Sequence, residues 1–144
     1  MNMDKETLAF LPALEISNAI AKKEISSQEV VLAALDRAEG TQETLNAFIT
    51  ICRDKALEKA IKADSEVSAS AELSPLHGVP LTVKDLINTS GVRTTMGSRI
   101  FDENLPSADA VAIERLNKAG AILIGKTTTP EFGHKPFTSA PIFG

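Results

Sequence analysis

Two strand-length apolar runs separated by one helical stretch constrain this chain most. Val79 to Val83 and Ala121 to Ile124 are the runs, and Ala108 to Ala119 between them carries apolar residues at helical spacing. Strand, helix and strand in that order suggest a right-handed crossover that leaves the two strands parallel. Ser107 is expected to cap the intervening helix, with Val111, Ala112, Leu116 and Ala119 facing inward and Gly120 at its stop. The fold class expected is α/β: N-terminal helices followed by the first strands of a mixed sheet flanked by helices.

Residues 1–64 read mostly as helix. Leu14, Ile16, Ala19 and Ile20 mark a first segment from near Pro12 to about Lys23. Ser26-Ser27-Gln28-Glu29 has the spacing of a capping box and opens a second helix that Gly40 should stop. Asn46 to Cys52 reads as a short strand. A third helix follows, with Ala56, Leu57, Ala60, Ile61 and Asp64 at helical spacing. Residues 65–75 look like a surface loop. Ile87 to Thr95 suggests a short extended piece, 97–107 reads as irregular, and Thr127 to Gly144 as loop.

Composition excludes several function classes. The formal net charge of −4, with scattered Lys and Arg and no Trp or Tyr, gives no pull toward nucleic acid or an anionic membrane. No apolar run approaches the ~18–20 residues that span a bilayer, and the first residues lack the apolar core of a secretory signal. The single cysteine, Cys52, precludes an internal disulfide and fits a reducing, cytoplasmic setting. It ends an apolar run, which favours a structural thiol over a nucleophile.

Gly120-Ala121-Ile122-Leu123-Ile124-Gly125-Lys126-Thr127 matches the P-loop expression letter for letter. Its middle residues belong to a strand, however, and Pro130 blocks a long helix after it, so Lys126 should sit just past a strand end rather than at a helix N-terminus. His77 and His134 stand apart from each other and from any cysteine cluster, and so read as structural rather than as metal ligands.

Lys84 is the lead to chemistry. It ends the strand that leaves Gly78 and Pro80, and alternation puts it on the face of Thr82, with Leu81, Val83 and Asp85 on the other. The carboxyl ends of strands in an α/β sheet are where ligands usually bind, and a partly desolvated lysine there can act as a base. Residue types alone favour the plainer alternative, a solvated lysine paired with a nearby acid.

The surrounding residues shift that balance. Leu76-His77-Gly78-Val79-Pro80-Leu81-Thr82-Val83-Lys84-Asp85 resembles the lysine-bearing segment of the amidase signature family. Thr94-Thr95-Met96-Gly97-Ser98 is similar to that family's T-x-G-S turn, and Ala108 to Thr127 to its next helix and strand. Pro130-Glu131-Phe132-Gly133-His134, Pro141-Ile142-Phe143-Gly144 and Asn46-Ala47-Phe48 also match, so the resemblance spans essentially the whole chain.

The resemblance implies a serine hydrolase of linear carboxamides with a Ser–cis-Ser–Lys triad. Lys84 would be the catalytic base, with no metal and no organic cofactor. Gly78, Pro80 and Asp85 would shape the turn and strand that aim it, and Thr127 to Gly133 would line the rim of the site. Residues 1–64 would form a helical cap, and 76–144 the first strands and crossover helix of the sheet. The family's paired serines and oxyanion loop have no match here: Ser26-Ser27 caps a helix, and Ser98 belongs to the T-x-G-S turn.

The expected reading is therefore the N-terminal segment of an amidase, inactive by itself, with unpaired strand edges and exposed apolar surface. Its expected partners are a small-molecule amide and either a second copy or the remainder of the amidase domain. Two alternatives stand beside it. One is a non-catalytic truncated paralogue or partner-binding module. The other is the amidase component of a tRNA-dependent amidotransferase.

Overall fold

Helix starts in this chain are set by side-chain caps. In the computed structural model, which describes residues 4–69 and 73–144, Asp4 accepts from the Thr7 backbone N–H at 2.8 Å and opens α1 (Lys5–Phe10), a helix the sequence reading does not anticipate. α2 (Ala13–Ala21) follows Pro12 and buries Ile16, Ala19 and Ile20. The capping box opens α3 (Ser27–Leu45): Ser26 Oγ accepts from Glu29 N at 3.1 Å, and Glu29 Oε2 accepts from Ser26 N at 2.8 Å.

A second carboxylate reaches the same helix end from α4 (Arg53–Ala69). Asp64 accepts from Ser27 N at 2.6 Å and from Gln28 N at 3.2 Å. The first-turn N–H groups of α3, which no intrahelical carbonyl can take, are thus satisfied by two acids from different helices. α3 lays Val31 and Leu35 over Ala56, Ala60 and Ala63 of α4. The small alanines allow a close approach, and the pair together covers Ile122 and Ile124 of the sheet. A second cluster joins Leu8, Ile16, Ile20, Ile25 and Val30 to Val79.

The sheet has three strands in the order β1-β3-β2. β2 (Pro80–Lys84) and β3 (Ile122–Thr127) run parallel, the pairing expected of the strand–helix–strand unit, and β1 (Phe48–Ile51) pairs antiparallel to β3. The register of β2 on β3 shifts between Leu81 and Thr82; beyond it Val83 pairs with Lys126 and Lys84 with Thr127. No helix among the described residues is long and apolar enough to cross a membrane.

Several boundaries differ from the sequence reading. α3 runs through Gly40 to Leu45 and stops at Asn46, whose φ of 46° is left-handed. Gly40 lies on the exposed side of the helix with nothing within 4 Å of a Cβ placed there. Glycine weakens a helix interior but does not by itself end it. α4 continues to Ala69 across part of the loop expected at 65–75; residues 70–72 of that loop lie outside the described residues. Ile87 to Thr95 folds as turns and irregular backbone rather than an extended piece.

The crossover helix is also shorter than expected. α5 spans Val111–Lys118, its N-cap is Ala110, and Ser107 does not cap it. The segment before it is tied instead to the 88–90 loop: Ala110 N donates to Asn88 O at 2.9 Å, and Ser90 N to Asp109 Oδ1 at 2.6 Å. Those bonds hold 109–110 extended and delay the first turn. Ile113 is the residue α5 buries; Val111 and Ala112 are exposed, while Leu116 and Ala119 are half-buried.

Gly40→Ala should stabilise the chain by about 0.5–1 kcal/mol, because alanine restricts the unfolded state and meets no neighbour in the helix. A raised urea midpoint at constant m-value is the expected readout. A lowered midpoint would mean that position 40 does not tolerate a Cβ.

Candidate active site

Because β2 and β3 are parallel, their carboxyl ends emerge side by side. This places Lys84 next to Thr127, and with it the start of the 127–133 segment. Register partners in a parallel pair point the same way, so Lys84 and Thr127 share one face while Val83 and Lys126 share the other. Burial divides along the same line. Thr82 and Lys84 are exposed; Val83, Asp85 and Lys126 are buried. Lys84 takes part in no hydrogen bond or ion pair among the described residues, so the nearby acid of the plainer reading is not found there. Asp85, its neighbour in sequence, faces away.

The backbone that carries Lys84 is held on every side. Asp85 N donates to Thr127 O at 3.0 Å, and Asp85 O accepts from Met96 N at 3.0 Å. The Asp85 carboxylate accepts from Thr95 N at 2.9 Å and from Thr95 Oγ1 at 2.6 Å. Thr95 to Ser98 forms a tight turn closed by Ser98 N to Thr95 O at 3.0 Å, with Met96 at φ 53° and Gly97 at φ 69°. Two left-handed residues in succession make a type I′ turn. Only glycine fits its second place: a Cβ on Gly97 would lie 2.7 Å from Thr129 O. The T-x-G-S pattern is thus a turn packed directly on the 127–133 segment, and Phe132 N donates to Met96 O at 2.8 Å to close the contact.

Lys126, expected just past a strand end, lies inside β3 and is fully buried. Its Nζ donates to Ile87 O at 2.7 Å, Thr94 Oγ1 at 2.8 Å and Thr89 Oγ1 at 3.2 Å, and stands 3.7 Å from Asp85 Oδ1. Burial pushes its pKa below the ordinary lysine value, and the Asp85 charge opposes that shift. This lysine, within a strand preceded by a helix, does not sit in a phosphate cradle. Sequence reasoning passes over its role; the available signal is a charged residue inside an otherwise apolar run.

The other candidate residues have structural surroundings. The buried ring of His77 places Nε2 2.9 Å from Ala63 O at the end of α4, and Ser98 caps a single 3-10 turn through Ile100 N. Ser27 is buried against Gly78. Cys52 is half-buried, and burial raises its thiol pKa while Lys55, Lys126 and Lys59 pull it back. Among the described residues no group of three or more His, Cys, Asp or Glu is placed to hold a metal ion.

Fold and site together have the layout of the amidase-signature hydrolases. A model of the Amidase family matches residues 29–144, and the chain belongs to that family. It is 38% identical over 83% of its length to the A chain of the glutamyl-tRNA(Gln) amidotransferase of Heliobacterium modesticaldum, covering 25% of that protein. It is 32% identical over 99% of its length to an acylamidase of Rhodococcus erythropolis, covering 30% of it. The solved structure of a fatty acid amide hydrolase superposes on the whole chain with a TM-score of 0.92 and 26% identity, over 26% of that enzyme. The chain thus spans about a quarter to a third of the length of the relatives it matches.

Lys84→Ala should leave folding stability within about 0.5 kcal/mol, as for exposed positions generally. Asp85→Ala should cost about 3–5 kcal/mol, because it leaves a buried ammonium without its counter-charge. Urea unfolding of the two variants checks the contrast, and equal losses would contradict it.

The raised Cys52 pKa has a definite sign. The unfolded thiol loses its proton first, so the stability Cys52 contributes is present below its ordinary pKa and is lost as pH climbs through the folded value. Unfolding measured from pH 7 to 10 should show that loss, and Cys52→Ala should reduce it. Iodoacetamide should alkylate Cys52 more slowly than a cysteine in a short peptide, since the thiolate is the reactive form.

Proposed function

We propose that this chain supplies the general base of an amidase that hydrolyses a linear carboxamide through an acyl-enzyme, and that Lys84 is that base. The carrying observation is an exposed, unpaired lysine at the carboxyl end of β2, on backbone fixed by buried bonds, in a chain of the Amidase family. A neutral Lys84 amine would take a proton from a bridging serine, and that serine would take one from the nucleophilic serine. The nucleophile attacks the amide carbonyl, backbone N–H groups hold the oxyanion, and collapse expels ammonia or an amine. Water then hydrolyses the acyl-enzyme.

No serine described in this chain fills the nucleophile's or the bridge's place in that scheme. Ser26 and Ser98 cap helices, and Ser27 is buried against Gly78. We assign the serine pair and the oxyanion loop to polypeptide outside these 144 residues. The residues 1–64 serve as a helical cap and 76–144 as the first part of the sheet.

Ammonia release from simple primary amides tests this reading. The 144-residue chain alone should give none. Once combined with polypeptide bearing the serine pair, Lys84→Ala should lower kcat by roughly 10²–10⁴-fold, the range of general-base catalysis. Turnover by the isolated chain, or a Lys84→Ala variant with full kcat, would sink it.

A second reading draws on the relatives named as amidotransferase components. This chain would then belong to an enzyme that releases ammonia for a glutamyl-tRNA. Ammonia release that depends on partner proteins and charged tRNA would favour it; release from small amides without either favours the stand-alone amidase. A non-catalytic module would show neither activity, and its partner binding would be insensitive to Lys84→Ala.

A further inference from the structure

The buried network beneath Lys84 contains a charge whose placement calls for an explanation. Lys126 Nζ has three oxygen acceptors within hydrogen-bond distance, Ile87 O, Thr94 Oγ1 and Thr89 Oγ1. An ammonium has three N–H donors, so the set is matched one to one. The two hydroxyls are free to accept, because each donates its own proton elsewhere: Thr89 to Ile87 O at 3.2 Å and Thr94 to Val92 O at 3.0 Å. Asp85 Oδ1 stands 3.7 Å away as the counter-charge and has no hydrogen bond of its own, while Oδ2 is held by Thr95.

These bonds share one geometry. Every group that Lys126 holds lies between Asp85 and Thr94, in the irregular segment that leaves β2. That segment has no strand or α-helix of its own to order it. Lys126 reaches into it from the central strand, where its register partner is Val83, the residue before Lys84.

We propose that Lys126 is a positioning residue for Lys84. Its ammonium, compensated by Asp85, gathers the 85–94 segment against the central strand and so fixes the direction in which β2 delivers the Lys84 amine. The catalytic meaning of this device rests on the reading of Lys84 as the base; the device itself does not. Lys126 touches no substrate, since it is fully buried on the opposite side of the sheet from Lys84.

The test uses the 144-residue chain and needs no turnover, so its failure is separable from failure of the amidase reading. Two signals are followed in Lys126→Met: the NMR resonance of the Lys84 Cε methylene, and hydrogen exchange at the Thr95 and Met96 amides. The Lys84 resonance should move toward that of a disordered lysine. The Thr95 and Met96 amides should exchange roughly tenfold faster or more relative to the core amides of Val31 and Ala60, because the opening is local. Adding Asp85→Asn to Lys126→Met should recover part of both signals by removing the stranded carboxylate.

Thr94→Val, which deletes one acceptor without stranding a charge, should give the same localised pattern at smaller size. It also decides the matter if Lys126→Met fails to fold. An unmoved Lys84 resonance, with exchange at 95 and 96 rising no more than at 31 and 60, would overturn the proposal in either variant.

Discussion

A fully buried ammonium ion is the constraint around which this chain is arranged. Taking a lysine head group out of water is costly unless its protons are accepted and its charge is answered. Lys126 sits in the central strand, so those partners must be brought to it. They come from one stretch, Asp85 to Thr94, which otherwise has no regular structure. The ion pair is therefore less a source of net stability than a demand on geometry. Once β3 is in place, the segment leaving β2 has few other arrangements in which Lys126 is satisfied.

That demand propagates. Asp85 can answer Lys126 only if its other carboxylate oxygen is also satisfied, and Thr95 supplies both a backbone and a side-chain donor. Thr95 in turn begins the turn that places Gly97 against Thr129, and Met96 then receives the Phe132 N–H. From one buried cation, a chain of contacts fixes the carboxyl end of β2, the T-x-G-S turn and the 127–133 segment relative to one another. Coupling of this kind is carried by packed, hydrogen-bonded groups rather than by a single element.

The sequence is legible where a local rule and the tertiary environment agree. The capping box at Ser26–Glu29 opens its helix because both halves of the box are side chains of one turn. The parallel pairing of β2 and β3 follows from the order of elements. Gly40 misleads, because a helix stop needs a left-handed residue and the chain supplies it at Asn46 instead. Ser107 misleads because Asp109 and Ala110 are claimed by the 88–90 loop, a contact no local window contains. Of the site, Lys84 is readable from its place at a strand end and from the family resemblance. Lys126 is visible only as a charge out of place: its acceptors lie far back in sequence, between 85 and 94.

The two lysines at neighbouring places in the sheet show how one residue type is put to opposite uses. Lys126 is buried, fully bonded and opposite in charge to its neighbour, so its energy is committed to one conformation. Lys84 is exposed, without a described partner, and contributes nothing to holding the sheet together. Alternation along the strand makes this division possible: a shift of one residue in the register of β2 would exchange the two faces and bury the wrong amine. The irregularity in pairing between Leu81 and Thr82 falls just before this point and sets the register that follows it. A base needs a lone pair that nothing else in its own segment consumes. The fold meets that condition by placing its buried hydrogen bonds on the strand beneath Lys84 and leaving the amine itself free.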